Sequence, residues 1–131
     1  MKNQRRKSRK RILVVDDEKA IATLLSNRLR NWGYDVMIAM NGKEGLRIAQ
    51  EGRPDLILLD IRMPDMDGHE VCARLREEIP TSRPRIIFVT ALGMPEHIES
   101  GFNAKPDGYL VKPFEADELR DRIKACLAQE S

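Results

Sequence analysis

Short apolar runs and amphipathic helical stretches alternate along this chain, joined by only a few residues each time. The runs are Ile12–Val15, Tyr34–Ala39, Leu56–Leu59, Arg85–Thr90 and Tyr109–Val111. The first and third run directly into Asp16 and Asp60. Short continuous apolar runs of this kind are expected of strands buried on both faces. Between them, Glu18–Asn31 carries Ile21, Leu24, Leu25 and Leu29 at helical spacing, and Gly33 supplies a stop. Asn41 can cap a second helix running to about Glu51, with Glu44 completing a capping-box-like pair. Gly52-Arg53-Pro54 breaks it. Asp67 can cap a third helix over Gly68–Ile79, which Pro80 to Pro84 end. Pro95 suits the first turn of a helix over Pro95–Ala104. A last amphipathic helix, Glu115–Ala128, has Leu119, Ile123 and Leu127 on one stripe. Five β/α units with short crossovers predict an α/β fold: a doubly wound (βα)5 unit with a five-stranded parallel sheet and helices on both faces.

Length and composition narrow the function. At 131 residues the chain is long enough for one domain with a working core. Its two cysteines, Cys72 and Cys126, lie far apart in helical sequence. That excludes a disulfide framework or a four-cysteine zinc site, and predicts free thiols in a reducing, cytoplasmic setting. No apolar run can span a bilayer, and Ile12–Val15 is too short for a signal peptide. Residues 1–11 hold seven Lys/Arg and no acid, leaving 16 basic against 21 acidic residues over 12–131. A tail of that composition is expected to be disordered. The expectation is a solubilising arm, or else a contact for nucleic acid (weak and nonspecific), acidic lipid or an acidic partner.

In open parallel sheets, ligands bind at the carboxyl ends of the strands. Here those ends carry Asp16-Asp17, Asp60, Thr90-Ala91 and Lys112-Pro113. Three crowded carboxylates repel, so a proton or a cation must sit among them. Mg²⁺ suits such a set, since it takes few protein oxygens and keeps room for a phosphate. A cationic amine and a hydroxyl opposite the metal complete the charge geometry of phosphoryl transfer. Asp60, in the middle of the row, is then the candidate nucleophile, and Asp16-Asp17 suit the metal.

Val14-Val15-Asp16-Asp17-Glu18, Leu58-Leu59-Asp60, Met63-Pro64-Asp65-Met66-Asp67-Gly68, Thr90-Ala91 and Tyr109-Leu110-Val111-Lys112-Pro113-Phe114 resemble the receiver domain of two-component response regulators. The resemblance covers residues 12 to about 128, and the steps between Asp17, Asp60, Thr90 and Lys112 are 43, 30 and 22 residues. It implies a flavodoxin-like sheet of order 2-1-3-4-5 and a receiver domain over 12–131. It makes Asp60 the phosphoacceptor, charged by the phosphohistidine of a sensor histidine kinase or phosphotransfer protein. Mg²⁺ would be held by Asp17, Asp60 and the backbone carbonyl of Arg62, with Asp16 acting mostly through water. Thr90, Ala91 and Lys112 would receive the phosphoryl oxygens, and the Lys112–Pro113 peptide is expected to be cis. Thr90 and Tyr109 would act as the switch, changing the face made by the 95–104 segment, the last strand and the last helix. The added phosphoryl group brings roughly −1.5 to −2 charges and three acceptor oxygens.

Several residues depart from the family pattern or flank it. Lys105-Pro106-Asp107-Gly108 precedes Tyr109 where the family often has Gly-Ala-Asp-Asp. Gly108 and Ser100 replace dimer-forming residues, whereas Asp107, Glu118 and Arg122 remain. The expectation is a monomer, with a dimer on phosphorylation as the alternative, and the Asp-Gly-Tyr form is closer to chemotaxis-type receivers. The expected partner is a downstream output protein or, if this is the receiver portion of a longer protein, that protein's output domain. Arg62 and apolar Leu92 flank the site, and Leu92 predicts slow loss of the phosphoryl group. Met63 and Met66 are expected to pack the loop, Trp32 to pack at the end of the first helix, and His69 and His97 to sit at the surface or in caps. An aspartate-nucleophile phosphatase is the alternative enzyme reading. Such hydrolases use Asp-x-Asp, and here Asp60-Ile61-Arg62 lacks the second acid.

Overall fold

The computed structural model describes residues 9–78, 84–91 and 106–128. Its elements are β1 (Arg11–Val15), α1 (Lys19–Asn31), β2 (Asp35–Ala39), α2 (Gly42–Gly52), β3 (Leu56–Asp60), α3 (Gly68–Glu78), β4 (Arg85–Ala91), β5 (Gly108–Lys112) and α4 (Ala116–Ala128). All strand pairs are parallel, in the order β2-β1-β3-β4-β5. The helix expected over Pro95–Ala104 lies outside the described residues, as do Leu92, His97, Ser100 and residues 1–8.

Alternate residues of each strand feed two separate cores, as a strand's two-residue period requires. Ile12, Val14, Leu56, Leu58, Ile87, Val89 and Leu110 pack with α1 and α4 on one face. Leu13, Val15, Ile57, Leu59, Ile86 and Phe88 pack with α2 and α3 on the other. β1, β3 and β4 are apolar on both sides because helices cover both sides. Cys72 and Cys126 form no disulfide and are buried one in each core. Among the described residues no helix is long and apolar enough to cross a membrane.

Pairing moves several element ends away from the bounds set by hydropathy. Arg11, placed with the basic tail by composition, opens β1 opposite Asp35. Its amide donates to Asp55 Oδ2 at 2.8 Å and its guanidinium to the Gly52 carbonyl at 2.7 Å. β3 extends through Asp60, which pairs with Val89, and β4 through Ala91, which pairs with Lys112. Arg11, Asp60 and Ala91 join these strands because the ladder continues past the apolar run. Glu18 precedes α1 without a side-chain cap. Trp32 closes α1, packs against the first core and carries the Arg120 guanidinium 5.5 Å above its ring. Gly33 follows at φ +96°, a left-handed conformation that glycine adopts freely.

At α2 the Asn41 side chain accepts from the Glu44 amide at 2.8 Å, as expected. Glu44 reaches back to the Met40 amide at 2.8 Å, one residue beyond the position a capping box uses.

Candidate functional site

Strand order decides where a ligand can enter. The crossover from β1 to β2 and the crossover from β2 to β3 run in opposite directions across the sheet, which opens a crevice at the carboxyl ends of β1 and β3. Asp16 and Asp17 follow β1 there, and Asp60 ends β3. Asp16, Asp17 and Asp60 each offer a carboxylate oxygen, and these oxygens lie within 4.8 Å of one another. The ladders bring the remaining groups alongside, because Asp60 pairs with Val89 and Ala91 with Lys112. Thr90 is therefore one residue past the level of Asp60, and Lys112 one strand further out.

Asp17, Glu18, Asp60, Arg62, Thr90, Ala91 and Lys112 line one open cleft of about 350 Å³. Asp16 lies beneath them, only 2% exposed. Its Oδ1 accepts from the Glu18 amide at 2.9 Å, and its Oδ2 is 3.8 Å from Lys112 Nζ. The same ammonium is 3.9 Å from Glu18 Oε1. Asp60 is 8% exposed, and the Arg62 amide approaches its Oδ1 at 3.4 Å. Burial pushes the Asp60 pKa up to about 6; Lys112 opposes the rise, and Asp16 and Asp17 add to it. Burial also raises Asp16, against the Glu18 amide and Lys112. One ammonium does not balance three carboxylates, so the cluster is short of positive charge. That shortage and the all-oxygen donor set fit a hard divalent cation.

The Thr90 side chain is buried, and its hydroxyl donates to the Ala91 carbonyl at 3.3 Å. Tyr109 is 38% exposed and meets Phe88 edge-on at 5.7 Å. The Lys112–Pro113 peptide is cis.

The match of residues 12–124 to the family described as "Response regulator receiver domain" decides the identity. The chain belongs to the response regulator receiver domain family. As a receiver domain it is a phosphoacceptor module of two-component signalling, and the family's members are signalling regulators and not conventional enzymes. It is 42% identical over 117 residues to the "DNA-binding dual master transcriptional regulator RpaA" of a Synechocystis strain, covering 89% of this receiver and 48% of that protein. The receiver spans about half the length of the curated relatives it matches. Among solved structures, a CheY-like receiver domain protein from Methanospirillum hungatei superposes with a TM-score of 0.83 at 36% identity, over 92% of this chain and 94% of that one. The receiver domain of the Pseudomonas aeruginosa sensor histidine kinase PA1611 superposes at 0.84 with 30% identity, over 93% of this chain and all of that one. That structure has a magnesium ion coordinated in its active site cleft.

Other features of the receiver escaped the sequence reading. His69 is not at the surface: it is 3% exposed. It meets Phe88 edge-on at 4.9 Å, and its Nδ1 lies 2.9 Å from Asp67 Oδ1. Its place on the stripe shared with Cys72 and Leu75 was the available signal. Met63 and Met66 pack against the second core, in keeping with a loop-packing role. Asp107, expected to remain available to a dimer, is turned inward. Its Oδ2 accepts from the Ile86 amide at 2.7 Å and from Arg76 Nη2 at 2.9 Å, and Arg85 is 3.9 Å from Oδ1. Arg122 donates to the Tyr109 carbonyl at 2.8 Å. No local pattern announces these partners, because each lies far away in sequence.

Proposed function

We propose that Asp60 is the phosphoacceptor of this receiver and takes its phosphoryl group from a sensor-kinase phosphohistidine. The observation that carries this reading is the convergence of Asp16, Asp17 and Asp60 beside the Lys112 ammonium. In the transfer, an Asp60 carboxylate oxygen forms a bond to phosphorus as the donor's P–N bond breaks. The departing imidazole keeps the bond electrons and takes a proton from water. Lys112 leaves its carboxylate neighbours to meet a phosphoryl oxygen, and the Thr90 hydroxyl exchanges the Ala91 carbonyl for another. The small Ala91 side chain leaves the backbone open to the third.

Asp17, Asp60 and the Arg62 carbonyl would hold Mg²⁺, with buried Asp16 acting through water. When bound, Mg²⁺ offsets the charge that builds on the phosphoryl oxygens. Turning of Thr90 makes space beside Phe88, and Tyr109 moves into it from its half-exposed position. The surface of β5 and α4 changes with it. The same residues support self-catalysed phosphorylation and hydrolysis. The named relative is a DNA-binding regulator twice as long, which favours an output that acts on transcription. The basic residues that precede β1 would serve at most as a weak contact.

Intact-mass measurement after incubation with acetyl phosphate and Mg²⁺ tests the reading. The wild type should gain one phosphoryl group, and Asp60→Asn should gain none. Equal uptake by Asp60→Asn would place the acceptor elsewhere.

A further inference from the structure

The loop between β3 and α3, residues 61–67, carries Arg62 near its start and Asp67 at its end, and Gly68 opens α3. Its middle is fastened to another element. Asp65 Oδ1 accepts the Gly42 amide at 2.9 Å, and Oδ2 accepts the Lys43 amide at 3.0 Å. With Asn41 on the Glu44 amide, the first three N–H groups of α2 are satisfied. Helix starts leave such groups without partners inside the helix. Here two of them are capped by a loop from across the second core. Loop and helix also touch directly: a Cβ added to Gly42 would stand 2.7 Å from Met66 Cβ. The far end of the loop is equally fixed. The Gly68 amide donates to the Ile61 carbonyl at 2.8 Å, and a Cβ on Gly68 would lie 2.7 Å from Ile61 Cα.

We propose that Asp65 is a positioning residue for the cation site, tying the loop to the start of α2 so that the Arg62 carbonyl is held beside Asp17 and Asp60. The proposal rests on the reading of the Arg62 carbonyl as a cation ligand. Only Met63 and Pro64 separate Arg62 from Asp65, and the proline ring fixes one of the intervening torsions. Arg62 and Asp17 line both the main cleft and the adjoining one formed by Met63, Pro64 and Asp67. Slack in the loop would therefore be felt at the cation. Burial alone would raise the Asp65 pKa; the Gly42 and Lys43 amides outweigh it and hold the carboxyl below its ordinary range. The tether is thus made by an ionised carboxylate.

The test titrates Mg²⁺ into the full chain and into Asp65→Ala, Asp65→Asn and Asp17→Asn, following amide shifts by NMR. Exchange of the Gly42 and Lys43 amides is measured in parallel. Outer partners of metal ligands typically contribute at least tenfold in affinity. Asp65→Ala should weaken Mg²⁺ by roughly that factor and unprotect both amides. Phosphoryl uptake at saturating Mg²⁺ should stay as in the wild type, so that only the half-saturating concentration moves. Asp65→Asn keeps an acceptor for one amide and should fall between. If Asp65→Ala does not fold, the isosteric Asn variant decides, and an unchanged Mg²⁺ midpoint with an unprotected amide overturns the proposal. The same result in a folded Ala variant overturns it while leaving the cation reading intact, provided Asp17→Asn loses Mg²⁺. An unchanged titration in Asp17→Asn overturns the cation reading, and the proposal with it.

Discussion

Lys112 Nζ stands 3.8 Å from the buried Asp16 Oδ2, although 96 residues separate them. The ammonium also lowers the Asp60 pKa against the burial that raises it. Lys112→Ala should therefore move the Asp60 midpoint above its value of about 6. Carboxyl-carbon NMR titration in EDTA would show the shift, and a downward move would contradict the charge arrangement.

Asp60 itself makes metal-free stability depend on pH. Its native pKa is about 6 against an ordinary 3.8. Below the lower value it is protonated in both states. Between the two, the native state holds a proton that the unfolded chain has lost, so stability falls as pH rises through this window. Asp60→Asn should accordingly be more stable than wild type above pH 6, by on the order of 2–3 kcal/mol. The difference should vanish below pH 4. Urea denaturation in EDTA across this range measures it.

The Asp107 carboxylate joins the starts of β4 and β5 to α3 through Ile86, Arg85 and Arg76. Removing one partner of a buried ion pair leaves the others uncompensated. Asp107→Ala should cost about 3 kcal/mol in urea denaturation. Because Asp107 faces inward, its loss should not alter the solution mass with Mg²⁺ and beryllium fluoride. Light scattering that shows a wild-type dimer abolished by this variant would contradict that orientation.

His69 Nε2 is buried with no hydrogen-bond partner among the described residues. Such an orphan costs about 1–3 kcal/mol, more than the bond to exposed Asp67 returns. His69→Leu should raise stability by about 1 kcal/mol, seen as a later urea midpoint at unchanged slope. A loss of stability would mean that the edge-on contact with Phe88 outweighs the orphan.

Much of the fold was legible because its signals are local. Strands covered on both faces must be apolar without alternation, and Leu56–Leu59 is readable at sight. The helices declare themselves by a stripe and a cap, as Asn41 does for α2. Element ends were less legible: Arg11 and Ala91 belong to strands only because neighbouring strands pair with them. His69 reads as surface in the sequence because a polar residue on an apolar stripe looks exposed until Phe88 is seen to cover it.

The sequence by itself determined the alternation of elements, the acids, hydroxyl and amine at four strand ends, and the family. These depend on residue type and on spacing over a few turns of chain. Only the tertiary structure decided that Glu18 shares Lys112 with Asp16, that Asp107 is bound inside by Arg76, and that Asp65 caps α2. Those partners are chosen by strand order, ladder register and the approach of one loop to another element's end. No residue's own propensity encodes them; they exist only once the whole sheet is assembled.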